Sequence, residues 1–289
     1  MVRRLLKSAA RIGSVLLMVY FGVVALVWWK QDSLLYFPER DYIAKPERVG
    51  LRYEDVWLRV GDGVRVHGWL IPAGEGRGNS EVPRTARASV LYFHGNGGNI
   101  SNVAFFLAEL HDVGFETLAI DYEGYGESEG IPSERHLYRD ADAAWDWLAK
   151  THGVPAARVI VWGHSLGGGV AAECGERHSP GAVVLESTFT NVPDVGAGVY
   201  WWLPVHLLAS SVFPNRERVA KFRSPVLIAH GRQDEVIPYA HGRELFDAAH
   251  DPKRWLELSG GHNDGFDKTP GAWDVLDDFL GVAGVTVAR

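Results

Sequence analysis

Cysteine is nearly absent from this 289-residue chain: Cys174 stands alone, which excludes an internal disulfide and any multi-cysteine metal site. Its neighbours Ala171, Ala172 and Gly175 suit a small buried helical residue. An excess of positive charge is absent too. Lys and Arg number 29 against 36 Asp and Glu, a formal charge of −7, so no basic stripe is available to neutralise nucleic-acid phosphates. There is no internal repeat, and neither GxxxxGK[ST] nor GxGxxG occurs, which removes the phosphate loops of those designs. Apolar residues, by contrast, make up 46% of the chain, enough for a large core and too many for disorder to dominate.

One apolar run is out of the ordinary. From Ile12 to Trp29 the chain reads IGSVLLMVYFGVVALVWW without a charge, with Arg3, Arg4, Lys7 and Arg11 before it and Lys30 after it. This approaches the roughly 20 residues that span a bilayer as a helix. Signal peptides carry an apolar core of about 7–15 residues and then a small-residue cleavage site. Here the core is longer and ends in Trp28 and Trp29, the aromatics of a membrane interface. The expectation is an uncleaved signal anchor over residues 1–30, embedded in the bilayer through residues 12–29. The basic residues would keep the N-terminus cytoplasmic and the rest of the chain on the non-cytoplasmic side, periplasmic in a bacterium. A cleaved or buried segment is the alternative.

After a connector at 31–52, short apolar strands alternate with helical segments, the pattern of a mostly parallel sheet flanked by helices within one domain at 53–285. Runs at 56–60 and 64–71 alternate with period two about GDG and predict an edge hairpin. GEGRGNSEVPRTAR, at 74–87, reads as an exposed loop. Strands are expected at 88–95, 115–124, 157–164, 182–188, 224–231 and 253–261, continuously apolar as strands buried on both faces are. Helices are expected at 99–113, 134–150 (capped by Ser133), 165–178, 239–250 and 269–281. The interval at 190–222, with GVYWWLPVHLLASSVFP, is too long for an ordinary connection and too apolar for a solvated loop. It predicts a small helical lid whose Trp201, Trp202, Leu203, Leu207 and Leu208 line an acyl pocket, dip into the membrane surface, or only pack on their own domain.

Open parallel sheets collect functional groups beyond the carboxyl ends of their strands. After ARVIVW comes Gly163-His164-Ser165-Leu166-Gly167, a G-x-S-x-G nucleophile elbow between a strand and a small-residue helix, unless Ser165 is merely a helix cap. A serine nucleophile needs a base held by a carboxylate. Asp234 follows the strand SPVLIAHG, and His262 follows KRWLELSGG, giving the chain order nucleophile, acid, base. Glu186, also after a strand, is the competing acid; Glu235 would point differently, and Asp264 would shape the loop. His164 and His230 read as packing or supporting neighbours. The oxyanion donors expected are the backbone N–H of Leu166 and that of Asn96, in the loop His94-Gly95-Asn96-Gly97-Gly98-Asn99.

The stretches LYFHGNGGN, IDYEGYGESEG, GHSLGGGVA, PVLIAHGRQDEVIP and GGHND, spread in this order over about 90–265, resemble the α/β-hydrolase superfamily and within it the membrane-anchored α/β-hydrolase-domain, BEM46-like group. The sequence departs slightly at Glu123, where relatives commonly carry Arg or Leu. The resemblance implies an α/β-hydrolase fold with about eight strands and a lid, a Ser165, Asp234, His262 triad, and an oxyanion hole from Asn96 and Leu166. It implies hydrolysis of carboxylic ester or thioester bonds, with a small-molecule or lipid acyl substrate and with neither metal nor organic cofactor. An amide or acyl-peptide hydrolase would share the triad, and a catalytically silent membrane-tethered scaffold is the reading from outside enzymes.

Overall fold

The computed structural model describes residues 2–74 and 87–285; most of the loop expected at 74–87 lies outside them. Helix α1 (Val2–Leu35) is long and apolar enough to cross a membrane. It runs past the expected boundary at Lys30 because nothing before Pro38 breaks a helix. Beyond it, β1 (Phe37–Pro38) is a two-residue strand, and the connector reaches β2 (Glu54–Arg59) and β3 (Arg65–Ile71), the expected hairpin, joined by a 3-10 turn at Gly61–Gly63.

The alternation then proceeds through β4 (Ser89–Phe93), β5 (Gly97–Gly98), α2 (Ala104–Asp112), β6 (Glu116–Ile120), α3 (Glu134–Asp146), β7 (Val159–His164), α4 (Leu166–His178) and β8 (Ala182–Glu186). The lid follows as α5 (Val192–Val199), α6 (Val205–Leu208) and α7 (Asn215–Val219), and the chain returns to the sheet with β9 (Val226–Gly231), α8 (Tyr239–Ala248), β10 (Lys253–Leu258) and α9 (Ala272–Val282). Ser133 caps α3, its hydroxyl accepting the His136 N–H at 3.2 Å. Eight strands form one sheet in the order β10-β9-β8-β7-β4-β6-β3-β2, parallel from β10 to β6 and antiparallel at β3.

Alternating residues of the central strands feed two cores. Leu91, Phe93, Val161 and Leu185 face α3 and α4, while Val90, Tyr92, Trp162 and Val184 face α2 and α9. That division is why these strands are apolar at every position. A second small sheet pairs β1 with β5, Phe37 opposite Gly97, and ties the connector to the glycine loop after β4. No hydrophobic periodicity announces two residues of pairing.

Asp121, wholly buried at the end of β6, holds this region together. Its Oδ1 accepts the Ile100 N–H and its Oδ2 the Tyr42 hydroxyl, each at 2.8 Å, joining loop, sheet and connector. Two residues on, the buried Glu123 bonds Arg139 and lies 3.3 Å from His136 Nδ1, so this departure from the family pattern is an internal ion pair. Asp121→Ala leaves buried donors unpaired and should cost about 3 kcal/mol. Unfolding followed by tryptophan fluorescence in detergent micelles measures it.

Candidate active site

Ser165 lies between β7 and α4 with φ +54° and ψ −120°, a backbone conformation rare outside glycine. Packing over-determines it. A side chain at Gly163 would strike the Gly167 carbonyl, and one at Gly167 the Phe93 carbonyl, so both elbow glycines are places where backbone meets backbone. The turn is fastened to β8: the Ser165 N–H donates to the Glu186 carbonyl at 3.0 Å, and the Thr188 hydroxyl donates to the Ser165 carbonyl at 2.7 Å. The Ser165 hydroxyl makes no capping bond to α4. It faces His262 Nε2 at 2.9 Å instead.

Each polar atom of His262 has a partner. Nδ1 meets both carboxylate oxygens of Asp234 at 2.9 Å, so the ring proton belongs on Nδ1 and the lone pair of Nε2 faces the serine. The backbone N–H donates to Glu235 Oε2 at 3.1 Å, and the carbonyl accepts Nε2–H of His164 at 2.9 Å. Burial and the neighbouring His262 push the His164 pKa down to about 4, which keeps that ring neutral, and the carbonyl acceptor puts its one proton on Nε2. Burial by itself would raise the Asp234 carboxyl. Hydrogen bonds from His230, from His262 and from the Ile237 N–H outweigh it and hold the group well below the usual carboxylate range. Asp264 accepts the Gly261 N–H at 2.8 Å and so shapes the turn that carries His262.

Glu186 is turned away from His262. Its Oε2 accepts Trp162 Nε1–H at 2.9 Å, and burial pushes its carboxyl up to about 7 despite that bond. The Asn96 loop lies beside the serine, close enough that a methyl on Gly95 would be 3.5 Å from Ser165 Cβ. The Asn96 carbonyl accepts the Phe37 N–H at 3.0 Å and the Tyr125 hydroxyl at 2.8 Å, and its side-chain amide donates to the Leu35 carbonyl at 3.0 Å. The loop is thus held by the end of the N-terminal helix, a partner that no local sequence signal indicates.

Two cavities meet at Ser165. One, of about 290 Å³, is apolar and is lined by Leu166, Phe189, Val195, Leu203 and Leu208 together with Val27, Trp28, Leu34 and Leu35 of α1. The other, of about 510 Å³, is polar and is lined by His94, Asn99, Glu186, His262, Asn263 and Asp267; Asn96 borders both. Of the five lid residues considered for an acyl pocket, Leu203 and Leu208 line the apolar cavity. Trp201, Trp202 and Leu207 do not, and are exposed. Trp201 and Trp202 sit in the turn between α5 and α6, and Leu207 on the exposed side of the one-turn α6, placements that spacing alone could not show for segments this short. Among the described residues no group of three or more His, Cys, Asp or Glu is gathered as a metal centre would need.

Asp234→Asn should lower kcat by about 10⁴-fold, since the amide favours the wrong His262 tautomer. Glu186→Gln should leave kcat within about tenfold, because its bond goes to Trp162. Steady-state kinetics on any accepted substrate separates the two. Glu186 also predicts a pH effect. Its folded-state value lies above the ordinary one near 4.5, so its support for the fold is complete below that value and is lost as the pH rises through about 7. Between about pH 4 and pH 9 the native chain should lose roughly 3 kcal/mol relative to Glu186→Gln in denaturant titrations.

The serine aminopeptidase S33 family (Hydrolase_4) matches residues 84–218. An uncharacterized protein of Mycobacterium tuberculosis is 36% identical over 252 residues, 87% of each chain. Alpha/beta hydrolase domain-containing protein WAV2 of Arabidopsis thaliana is 32% identical over 253 residues, 80% of this chain and 79% of its own. Alpha/beta hydrolase domain-containing protein 17B of Xenopus laevis is 36% identical over 62% of each chain. Among solved structures, an esterase of Pyrococcus furiosus superposes with a TM-score of 0.65 at 19% identity, over 85% of this chain and 98% of its own, a likeness of fold. A relative matched along most of both chains, together with this strand order, makes the chain a member of the α/β-hydrolase superfamily and a hydrolase.

Proposed function

We propose that the chain is a membrane-anchored serine hydrolase that cleaves carboxylic ester or thioester bonds through an acyl-enzyme. The observation that carries this reading is the continuous chain from Ser165 Oγ to His262 Nε2 and from His262 Nδ1 to Asp234, beside an apolar cavity. Ser165 Oγ attacks the acyl carbonyl carbon as its proton passes to His262 Nε2; Asp234 holds the imidazole tautomer and stabilises the imidazolium. The backbone N–H groups of Asn96 and Leu166 receive the oxyanion. For Asn96 this accords with a carbonyl and side-chain amide already committed to Phe37, Tyr125 and Leu35. His262 then delivers its proton to the departing oxygen or sulfur, and the same base activates the water that frees the acid.

The two cavities divide the substrate. His262 protonates the leaving group and borders only the polar cavity, so the alcohol or thiol lies there, and the acyl chain lies in the apolar one. α1 is the anchor: its uncharged residues 12–29 rise about 27 Å as a helix, against a hydrocarbon core of about 30 Å. Arg3, Arg4, Lys7 and Arg11 before the apolar span support a cytoplasmic N-terminus and a hydrolase domain on the non-cytoplasmic side.

An amide or peptide hydrolase would use the same machinery, and the aminopeptidase name of the matching family keeps that reading in view. The apolar lining favours an acyl chain over a free N-terminus, and paired ester, thioester and amide substrates of one acyl group distinguish them. Ser165→Ala should lower p-nitrophenyl ester turnover by at least about 10⁴-fold and abolish labelling by a fluorophosphonate. Full activity in that variant refutes the Ser165 assignment, and a native chain that neither turns over the ester nor is labelled by the probe leaves the scaffold reading.

A further inference from the structure

The lid is bonded to α1 at two heights. Near the foot, the Ser210 N–H donates to Gln31 Oε1 at 2.7 Å; higher up, the Tyr20 hydroxyl donates to the Trp202 carbonyl at 3.2 Å. Tyr20 and Gln31 are eleven residues apart on one helix, and at about 1.5 Å per residue the lid climbs about 16 Å along it. Trp29 and Lys30 mark the membrane boundary on α1, so Tyr20 lies about 14 Å inside, near the middle of a hydrocarbon core of about 30 Å.

Three features fit the lid to that depth. From Val195 to Asn215 it contains no Asp, Glu, Lys or Arg, and its His206 lies 3.5 Å from Asp194 Oδ1. Its outer side shows Trp201 at 83% and Leu207 at 86% exposure, and the apolar span of α1 beside it is likewise unburied. Much of its backbone is paired locally: the N–H groups of Tyr200, Leu203, Val205, Leu207 and Ala209 donate to lid carbonyls, and the Trp202 carbonyl is taken by Tyr20. Such pairing is what hydrocarbon demands and water does not.

We propose that the outer part of the lid, residues 195–209, is a second membrane-embedded element in the leaflet that holds the last turns of α1, and that the cleft between them is a lateral port. The acyl chain of a bilayer lipid slides from the leaflet between Val27 and Val195 into the apolar cavity and reaches Ser165 without crossing water. The anchor helix is then one wall of the binding site. This inference rests on the serine hydrolase and anchor readings above.

Two measurements on the full chain in phosphatidylcholine vesicles test it. Cys174 is fully buried, so Leu207→Cys can be labelled selectively with an environment-sensitive fluorophore, with Asp247→Cys on α8 as the water-facing reference. The Leu207 label should be blue-shifted, quenched by spin-labelled acyl chains and protected from iodide. Iodide quenching equal to that at Asp247 overturns the immersion. In the second measurement Val27→Trp and Val195→Trp narrow the cleft, and labelling of Ser165 by hexadecyl and butyl fluorophosphonates is timed. The hexadecyl-to-butyl rate ratio should fall by at least about tenfold, and an unchanged ratio overturns the port. A wet label on a protein whose Ser165 still reacts overturns this inference alone; an unreactive Ser165 overturns the hydrolase reading, and the port with it.

Discussion

A serine forced into left-handed backbone geometry between a strand and a helix is the constraint on which the rest of the site depends. The turn survives because backbone approaches backbone at Gly163 and Gly167, and because bonds to Glu186 and Thr188 fasten it to the neighbouring strand. Once the hydroxyl stands clear of the sheet, the positions of its partners follow from strand order. Asp234 leaves β9, and His262 leaves β10, the two strands beyond β8. Their loops must lean back over β8 to meet the serine, and the bonds from Glu235 and His164 to the His262 backbone fix the lean.

Electrostatics separates two carboxylates that a strand map treats alike. Asp234 gathers donors from two histidines and two backbone N–H groups and stays charged. Glu186, buried against Trp162 with one donor, is raised toward neutrality. A charged acid can hold an imidazolium as it forms; an acid that titrates near neutrality holds it poorly. The difference arises from who donates to each group, not from residue type.

The N-terminal helix reaches the site itself. Its last carbonyl receives the Asn96 side chain, the strand just beyond it pairs with the glycine loop, and its last turns wall the apolar cavity. On the function proposed above, membrane attachment and the geometry of the oxyanion loop are therefore one structural problem. Tyr36 adds a further tie, its hydroxyl lying 3.1 Å from Ser211 Oγ of the lid.

Much of this was legible in the sequence, because it is local or ordered. Buried parallel strands must be apolar at every position, an elbow needs glycines at fixed offsets, and partners after later strands must occur in chain order; these gave the eight-stranded sheet, the lid interval and the meeting of Ser165, Asp234 and His262. The extension of α1 to Leu35, the two-residue pairing of β1 with β5, and the outward turn of Trp201, Trp202 and Leu207 were not legible. Each is decided by contacts between residues far apart in the chain, such as Leu35 with Asn96 or Tyr20 with Trp202, and composition and periodicity describe only what a residue does with its near neighbours. The sequence by itself determined which side chains are able to do chemistry and in what order they arrive. Only the tertiary structure decided why Asp234 stays charged where Glu186 does not, and that the N-terminal helix walls the cavity, because both depend on contacts between residues far apart in the chain.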